Sequence, residues 1–198
     1  MIEAFRKHRS ETEFLNDGRA FKIKRSSDYI SYPEFLAYFK NIGQLSRHNV
    51  IIGINFTYGW MPTMFEFMNY KMEILDDSVG ILQRAKSGSA LLPEELHTLI
   101  RFFNNSLVGT SKLLHFVNPE KFAIWDSRVY HYLTGDAPHF YRLSKGESFF
   151  SYLAFCEERT KIQGYEEVHK RIVEIVGYDM SKYRTAELIM YSWQSEEK

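Results

Sequence analysis

The chain has a single cysteine, Cys156, in 198 residues. That excludes an internal disulfide and any cysteine-based metal site within the chain. Cys156 lies in an apolar run with Phe149, Phe150, Leu153 and Phe155, the setting of an inert core thiol. No apolar run is long enough to cross a bilayer. Met1 to Arg9 is charged and no apolar stretch follows it, so the expectation is a soluble protein without a secretory leader, in a reduced cytoplasmic setting. Net charge is also lacking: 25 basic residues balance 25 acidic ones. A uniformly basic surface is therefore excluded, and any contact with nucleic acid must rest on a local basic face. Walker loops, dinucleotide fingerprints, His-x-Glu or Cys-x-x-Cys metal motifs and Gly-x-Ser-x-Gly elbows are absent. The seven histidines, His8, His48, His97, His115, His131, His139 and His169, show no ligand spacing. Neither a metal nor an organic cofactor is expected.

Strand-type alternation is scarce. Phe21-Lys22-Ile23-Lys24 is the best instance and it is short, while Asn49 to Phe56 reads as either a strand or a buried helix. Helix signals are frequent. Ser31-Tyr32-Pro33-Glu34, Thr63-Met64-Phe65-Glu66 and Ser144-Lys145-Gly146-Glu147 read as capping boxes, and Leu92-Pro93-Glu94-Glu95 places proline and acids in a first turn. Leu96, Leu99, Ile100 and Phe103 form one helical stripe, and Val168, Ile172, Ile175 and Val176 form another. A last helix after Asp179 is expected to carry Tyr183, Ala186, Ile189 and Met190 inward. Aromatics are abundant, with 16 Phe, 13 Tyr and 3 Trp, and most must fill a core. Breaks at Gly53, Gly59 to Pro62, Ser87 to Ser89, Gly135 to Pro138, Gly164 and Gly177 are too short for domain linkers. The expectation is an all-α fold: a compact, irregular helical bundle forming a single domain over residues 1–198.

The stretch from Asn104 to Val129 carries the most chemistry. It reads as a helix end near Asn104, a turn through Gly109, and a helix opening at Thr110 or Ser111 with Lys112 in its first turn. There the helix dipole disfavours a cation and so favours the nucleophilic neutral amine. Asn118-Pro119 stops that helix, and a connector leads to Asp126, which precedes a helical run from Ser127 to Leu133. Taken alone, Asp126 reads as an N-cap and Lys112 as a surface lysine whose stem covers apolar area.

In order and content this segment resembles the helix-hairpin-helix and catalytic-aspartate core of the DNA glycosylase superfamily, in particular the branch acting on 8-oxoguanine. The segment concerned is 93–134. The resemblance implies a DNA glycosylase, with or without abasic-site lyase activity, acting on duplex DNA that carries a damaged or modified base. Lys112 then attacks the sugar, and Asp126 supports the positive charge that develops. Gly109, Thr110 and Ser111 would present main-chain amides to a phosphate, with His115 and Arg128 as further DNA contacts. Trp125, Tyr58 and Trp60, with Phe65, are candidates for the wall of a base pocket. The segment departs from the family pattern in having one hairpin glycine rather than two, and a short spacing from Lys112 to Asp126.

Outside this segment, Arg6, Lys7, Arg9, Arg19, Lys22, Lys24 and Arg25 make the amino-terminal stretch locally basic: either a phosphate-contacting face or a solvated surface. Tyr183-Arg184-x-x-Glu187 reads as an exposed helical ion pair of small energetic value. Two other readings of the whole chain stay open: a non-catalytic helix-hairpin-helix DNA-binding module, and a helical protein-interaction domain.

Overall fold

Capping and spacing decide where the helices of this chain begin and what they bury. A computed structural model describes residues 1–23, 28–60 and 72–193. Among these residues there are twelve helices and no strand, so the all-α expectation holds. The helices are α1 Ile2–His8, α2 Glu11–Arg19, α3 Asp28–Lys40, α4 Arg47–Trp60, α5 Leu75–Lys86 and α6 Pro93–Phe102. They continue with α7 Leu107–Val117, α8 Ser127–Thr134, α9 Phe140–Leu143, α10 Gly146–Arg159, α11 Tyr165–Val176 and α12 Lys182–Ser192. The expected box at Thr63 to Glu66, together with Phe65, Lys24 and Arg25, lies outside the described residues.

The helices gather into two compact units: Met1–Arg25 with Ala123–Lys198, and Ser26–Phe122. The first unit is built around α12, which packs against α2, α8, α10 and α11. Its core is aromatic. Phe155 receives Phe5 and Phe14 edge-on at 6.2 and 6.4 Å, and Phe14 stacks on Tyr165 at 6.1 Å, geometries suited to the ring quadrupoles. Gly18 lets α2 approach this closely, because a Cβ there would stand 2.5 Å from Val168 Cγ1 and 3.0 Å from Ile189 Cδ1. Cys156 is buried here and burial pushes its thiol up, which agrees with an inert core residue.

The second unit is built around α7, which packs against α3, α4, α5 and α6. Leu75, Ile81, Leu82 and Ala85 face inward from α5, and Leu96, Leu99 and Phe102 from α6. Full burial of a leucine, isoleucine or phenylalanine contributes roughly 1.5–3 kcal/mol by leaving water. The β-branched segment Asn49 to Phe56 is helical, inside α4.

Several start signals resolve differently from the expectation. Pro93 opens α6 as its first residue, and Glu95 Oε2 accepts the Leu92 N–H at 2.9 Å. In contrast, Pro33 lies inside α3, which starts earlier, at Asp28. The N-cap of α10 is Lys145 rather than Ser144. Phe21 to Ile23 form no strand. On α12, Ala186, Ile189 and Met190 are buried but Tyr183 is only half-buried.

Candidate functional site

The turn between α6 and α7 spans residues 103–106. Asn104 and Asn105 adopt left-handed backbone, with φ of 54° and 56°, a conformation that asparagine tolerates better than most residues. Ser106 then caps α7, its Oγ accepting the Gly109 N–H at 3.1 Å. Gly109 is therefore the third residue of a helix and not the glycine of a turn. The expectation of a turn through Gly109 and a helix opening at Thr110 or Ser111 is corrected accordingly. Two asparagines supply the left-handed conformation that a glycine was expected to supply.

This shift moves Lys112 out of the first turn: it is the sixth residue of α7. Amide groups at the helix start lie more than a turn away, so the dipole effect invoked from the sequence does not act there. A different feature surrounds the amine. Nine of the eleven residues of α7 are buried, and only Val108 and Lys112 are not. Lys112 Nζ lies 5.3 Å from the centroid of Trp60, the last residue of α4. Trp60 in turn meets Phe116 edge-to-face at 5.3 Å. The amine thus faces an aromatic ring, whose quadrupole attracts a cation placed over it.

The expected DNA contacts on α7 are corrected by burial. Thr110 and Ser111 are buried, and their hydroxyls donate to the Ser106 and Val108 carbonyls at 2.8 and 2.9 Å. The Gly109 and Thr110 amides bond to Ser106, so they are not available to a phosphate. His115 is fully buried. Its Nδ1 stands 2.6 Å from the Phe122 carbonyl and its Nε2 2.8 Å from the Tyr32 hydroxyl. A carbonyl only accepts, so Nδ1 carries the proton, and Nε2 accepts from Tyr32. This histidine ties α3, α7 and the segment after α7 together. Asn118 fixes the same segment, its Nδ2 donating to the Ala85 and Lys86 carbonyls at 3.0 and 3.3 Å.

Tyr58 is also a core residue. It is buried, stacks on Phe103 at 5.9 Å and donates to the Phe103 carbonyl at 2.9 Å, and burial pushes its phenol up. It has no exposed face for a base, so its role as a pocket wall is withdrawn. Of the tryptophan candidates, only Trp60 keeps an accessible portion.

In the other unit, Asp126 is the N-cap of α8. Its Oδ1 accepts the Arg128 and Val129 N–H groups at 2.9 and 3.0 Å, and the residue is half-buried. The approach to it is fixed by two hydrogen bonds: Tyr152 donates to the Ile124 carbonyl at 2.9 Å, and Trp125 Nε1 donates to the Leu143 carbonyl at 3.0 Å. Trp125 is fully buried between Tyr130 and Tyr152. It is a core plug and cannot stack on a flipped base. Arg128 is exposed, with its guanidinium 4.6 Å from the Tyr191 ring centroid, and it does not pair with Asp126.

The basic amino terminus is largely satisfied within its own unit. Arg6 pairs with Glu3 and Glu158. Arg9 donates to the Tyr132 carbonyl at 3.1 Å and lies 4.6 and 4.2 Å from the Tyr132 and Trp193 rings. Arg19 donates to Asn16. Lys7, Arg19 and Lys22 are exposed on the same stretch.

A pocket of about 770 Å³ in the first unit is lined by Ser127, Arg128, His131, Gly135, Tyr191 and Trp193, among others. Gly135, with φ of 71°, ends α8 and turns the chain along the pocket rim. Of the catalytic, DNA-contacting and base-pocket candidates named from the sequence, Arg128 lines this pocket. His131, Tyr191 and Trp193 carry no motif, because an aromatic near the end of a helix has the same pattern whether it is packed or open. Among the described residues no cluster of His, Cys, Asp and Glu has the arrangement of a metal site, and no helix is long and apolar enough to cross a membrane. No family model, curated protein or solved structure matches the chain.

Proposed function

We propose that this chain excises a damaged or modified base from duplex DNA, as a glycosylase with associated abasic-site lyase activity, and that Lys112 is its nucleophile. One observation carries the reading. In a helix buried along nearly its whole length, Lys112 is the single long charged side chain, and its amine lies over the Trp60 ring. A lysine that only covered apolar surface would be expected on an exposed face. The segmental resemblance to the glycosylase core supports the same assignment.

The chemistry starts at the lysine. Neutral Lys112 Nζ forms a bond to C1′ of the deoxyribose as the glycosidic bond breaks, and the base leaves with the bonding electron pair and takes up a proton. Ring opening gives a protonated imine. Loss of the C2′ proton and of the 3′ phosphate nicks the strand, and water then hydrolyses the imine and returns the lysine. In the glycosylase core that the segment resembles, an aspartate supports the positive charge that develops on the sugar, and Asp126 is the residue that matches it. Asp126 also caps α8, so its position is fixed by the fold before any substrate arrives.

Base release from duplexes carrying 8-oxoguanine, measured alongside Lys112→Ala, tests the proposal. Release that disappears in the variant supports it. Equal release by both proteins would remove Lys112 from the chemistry, and no release or nicking from either a lesion panel or an abasic duplex would leave the non-catalytic DNA-binding reading.

A further inference from the structure

The pocket beside α8 has a composition that neither Lys112 nor Asp126 explains. No acidic residue lines it among the described residues. Arg128 contributes a guanidinium whose Cζ lies over the Tyr191 ring, 4.6 Å from its centroid, and which has no carboxylate partner among the described residues. Arg128 is exposed, and the planar N–H fork of a guanidinium matches phosphate oxygens. His131 donates from Nδ1 to the Asp136 carbonyl at 3.0 Å, which directs its Nε2 away from that bond as a second polar group.

The pocket also has an aromatic lining. Trp193 is held by Arg9 at 4.2 Å from its ring centroid, by the edge of Tyr132 at 5.6 Å and by His131 at 5.9 Å. A ring held on several sides loses little freedom when a planar ligand stacks on it. The acids nearest in sequence are engaged elsewhere. Asp136 pairs with Arg142 at 3.1 Å, and Asp126 Oδ1 is bonded to the α8 amides. The volume falls within the roughly 300–1,000 Å³ of small-molecule sites.

We infer that this pocket binds a nucleoside phosphate, with the phosphate on the Arg128 edge and the base against Trp193. Two sources carry that chemistry: a free mononucleotide, and a nucleotide within a DNA strand. Neither requires Lys112 to be reactive, so the site stands or falls apart from the proposed excision chemistry.

Calorimetric titration of the full chain with deoxyguanosine monophosphate, deoxyguanosine and a short single-stranded oligonucleotide tests the site, with Trp193 fluorescence as a second readout. The nucleotide or the strand is expected to bind, and Arg128→Gln is expected to weaken that binding by about tenfold or more, the loss expected for one charged hydrogen-bonding partner. Trp193→Ala is expected to weaken it as well. Binding of the strand but not the mononucleotide identifies a strand contact; binding of both identifies a pocket open to free nucleotides. Arg128 is exposed and Trp193 half-buried, so unfolding midpoints near wild type are expected for both variants and separate lost binding from lost fold. Absence of binding by both ligands, unchanged affinity in both variants, or equal affinity for nucleoside and nucleotide would overturn the assignment.

Discussion

Arg184 is ion-paired with Glu187, one turn further along α12, and both side chains are buried in the first unit. Spacing alone places this pair on an exposed face, where it would matter little. Buried, it behaves differently, because removing one partner breaks a charge pair that is shielded from water. Glu187→Ala is expected to cost roughly 3–5 kcal/mol. The double replacement Arg184→Met with Glu187→Leu is expected to recover much of that loss. Urea unfolding of the three proteins measures both; a single variant within about 0.5 kcal/mol of wild type, the range usual for exposed sites, would show that the pair is not buried in solution.

His115 joins Tyr32 to the Phe122 carbonyl inside the second unit. Tyr32→Phe removes one donor and leaves a buried ring nitrogen without that bond, at an expected cost of about 1–3 kcal/mol. His115→Ala loses both bonds and opens a cavity, so its cost is expected to be larger. Chemical denaturation checks the order, and a Tyr32→Phe protein as unstable as His115→Ala would contradict the two-bond arrangement.

Asp126 combines a structural and a proposed chemical role, and they can be separated. Asparagine caps helices about as well as aspartate, while alanine costs roughly 0.5–2 kcal/mol. Asp126→Asn is therefore expected to keep its unfolding midpoint and lose base excision, and Asp126→Ala to lose both. Excision retained in Asp126→Asn would leave the cap as the residue's whole function.

Stability is expected to fall on the acid side of neutrality. Hydrogen bonds from Arg6 hold the Glu158 carboxyl below its ordinary value of 4.5, and bonds from Ser10 do the same for Glu13. A folded pKa below the unfolded one gives stability that is present above about 4.5 and is lost as pH falls through the folded values. Asp17 runs the other way. Burial raises it above 3.8, against the Tyr132 hydroxyl that donates to it at 2.8 Å, so its contribution is present at low pH and lost as pH rises through the folded value. Glu158→Gln is expected to lower the neutral midpoint and flatten the acid slope. Asp17→Asn keeps an acceptor for Tyr132 and is expected to raise the neutral midpoint. Urea midpoints measured at several pH values check both signs.

Helix content is legible in the sequence because periodicity reports burial along one face, as in Val168, Ile172 and Val176 on α11. Boundaries are less so. Pro33 marks a helix start only when nothing upstream nucleates the helix first, and α3 begins at Asp28. Gly109 reads as a turn residue because glycine suits left-handed backbone, whereas Asn104 and Asn105 take that conformation here. His115, Trp125 and Tyr58 read as contacts from their residue types. Each instead has a backbone carbonyl as partner, supplied by residues seven, eighteen and forty-five positions away, and sequence spacing does not announce such a partner. Lys112 and Asp126 keep partly accessible side chains, and they belong to different units.

The central claim is that Lys112 bonds to DNA, and borohydride reduction of the imine followed by peptide mapping of the adduct tests it most directly. With an abasic or 8-oxoguanine duplex, the expected result is a covalent protein–DNA product whose linked peptide contains Lys112 and which is absent from Lys112→Ala. An adduct on another lysine that persists in the variant, or no adduct with either duplex, would contradict it.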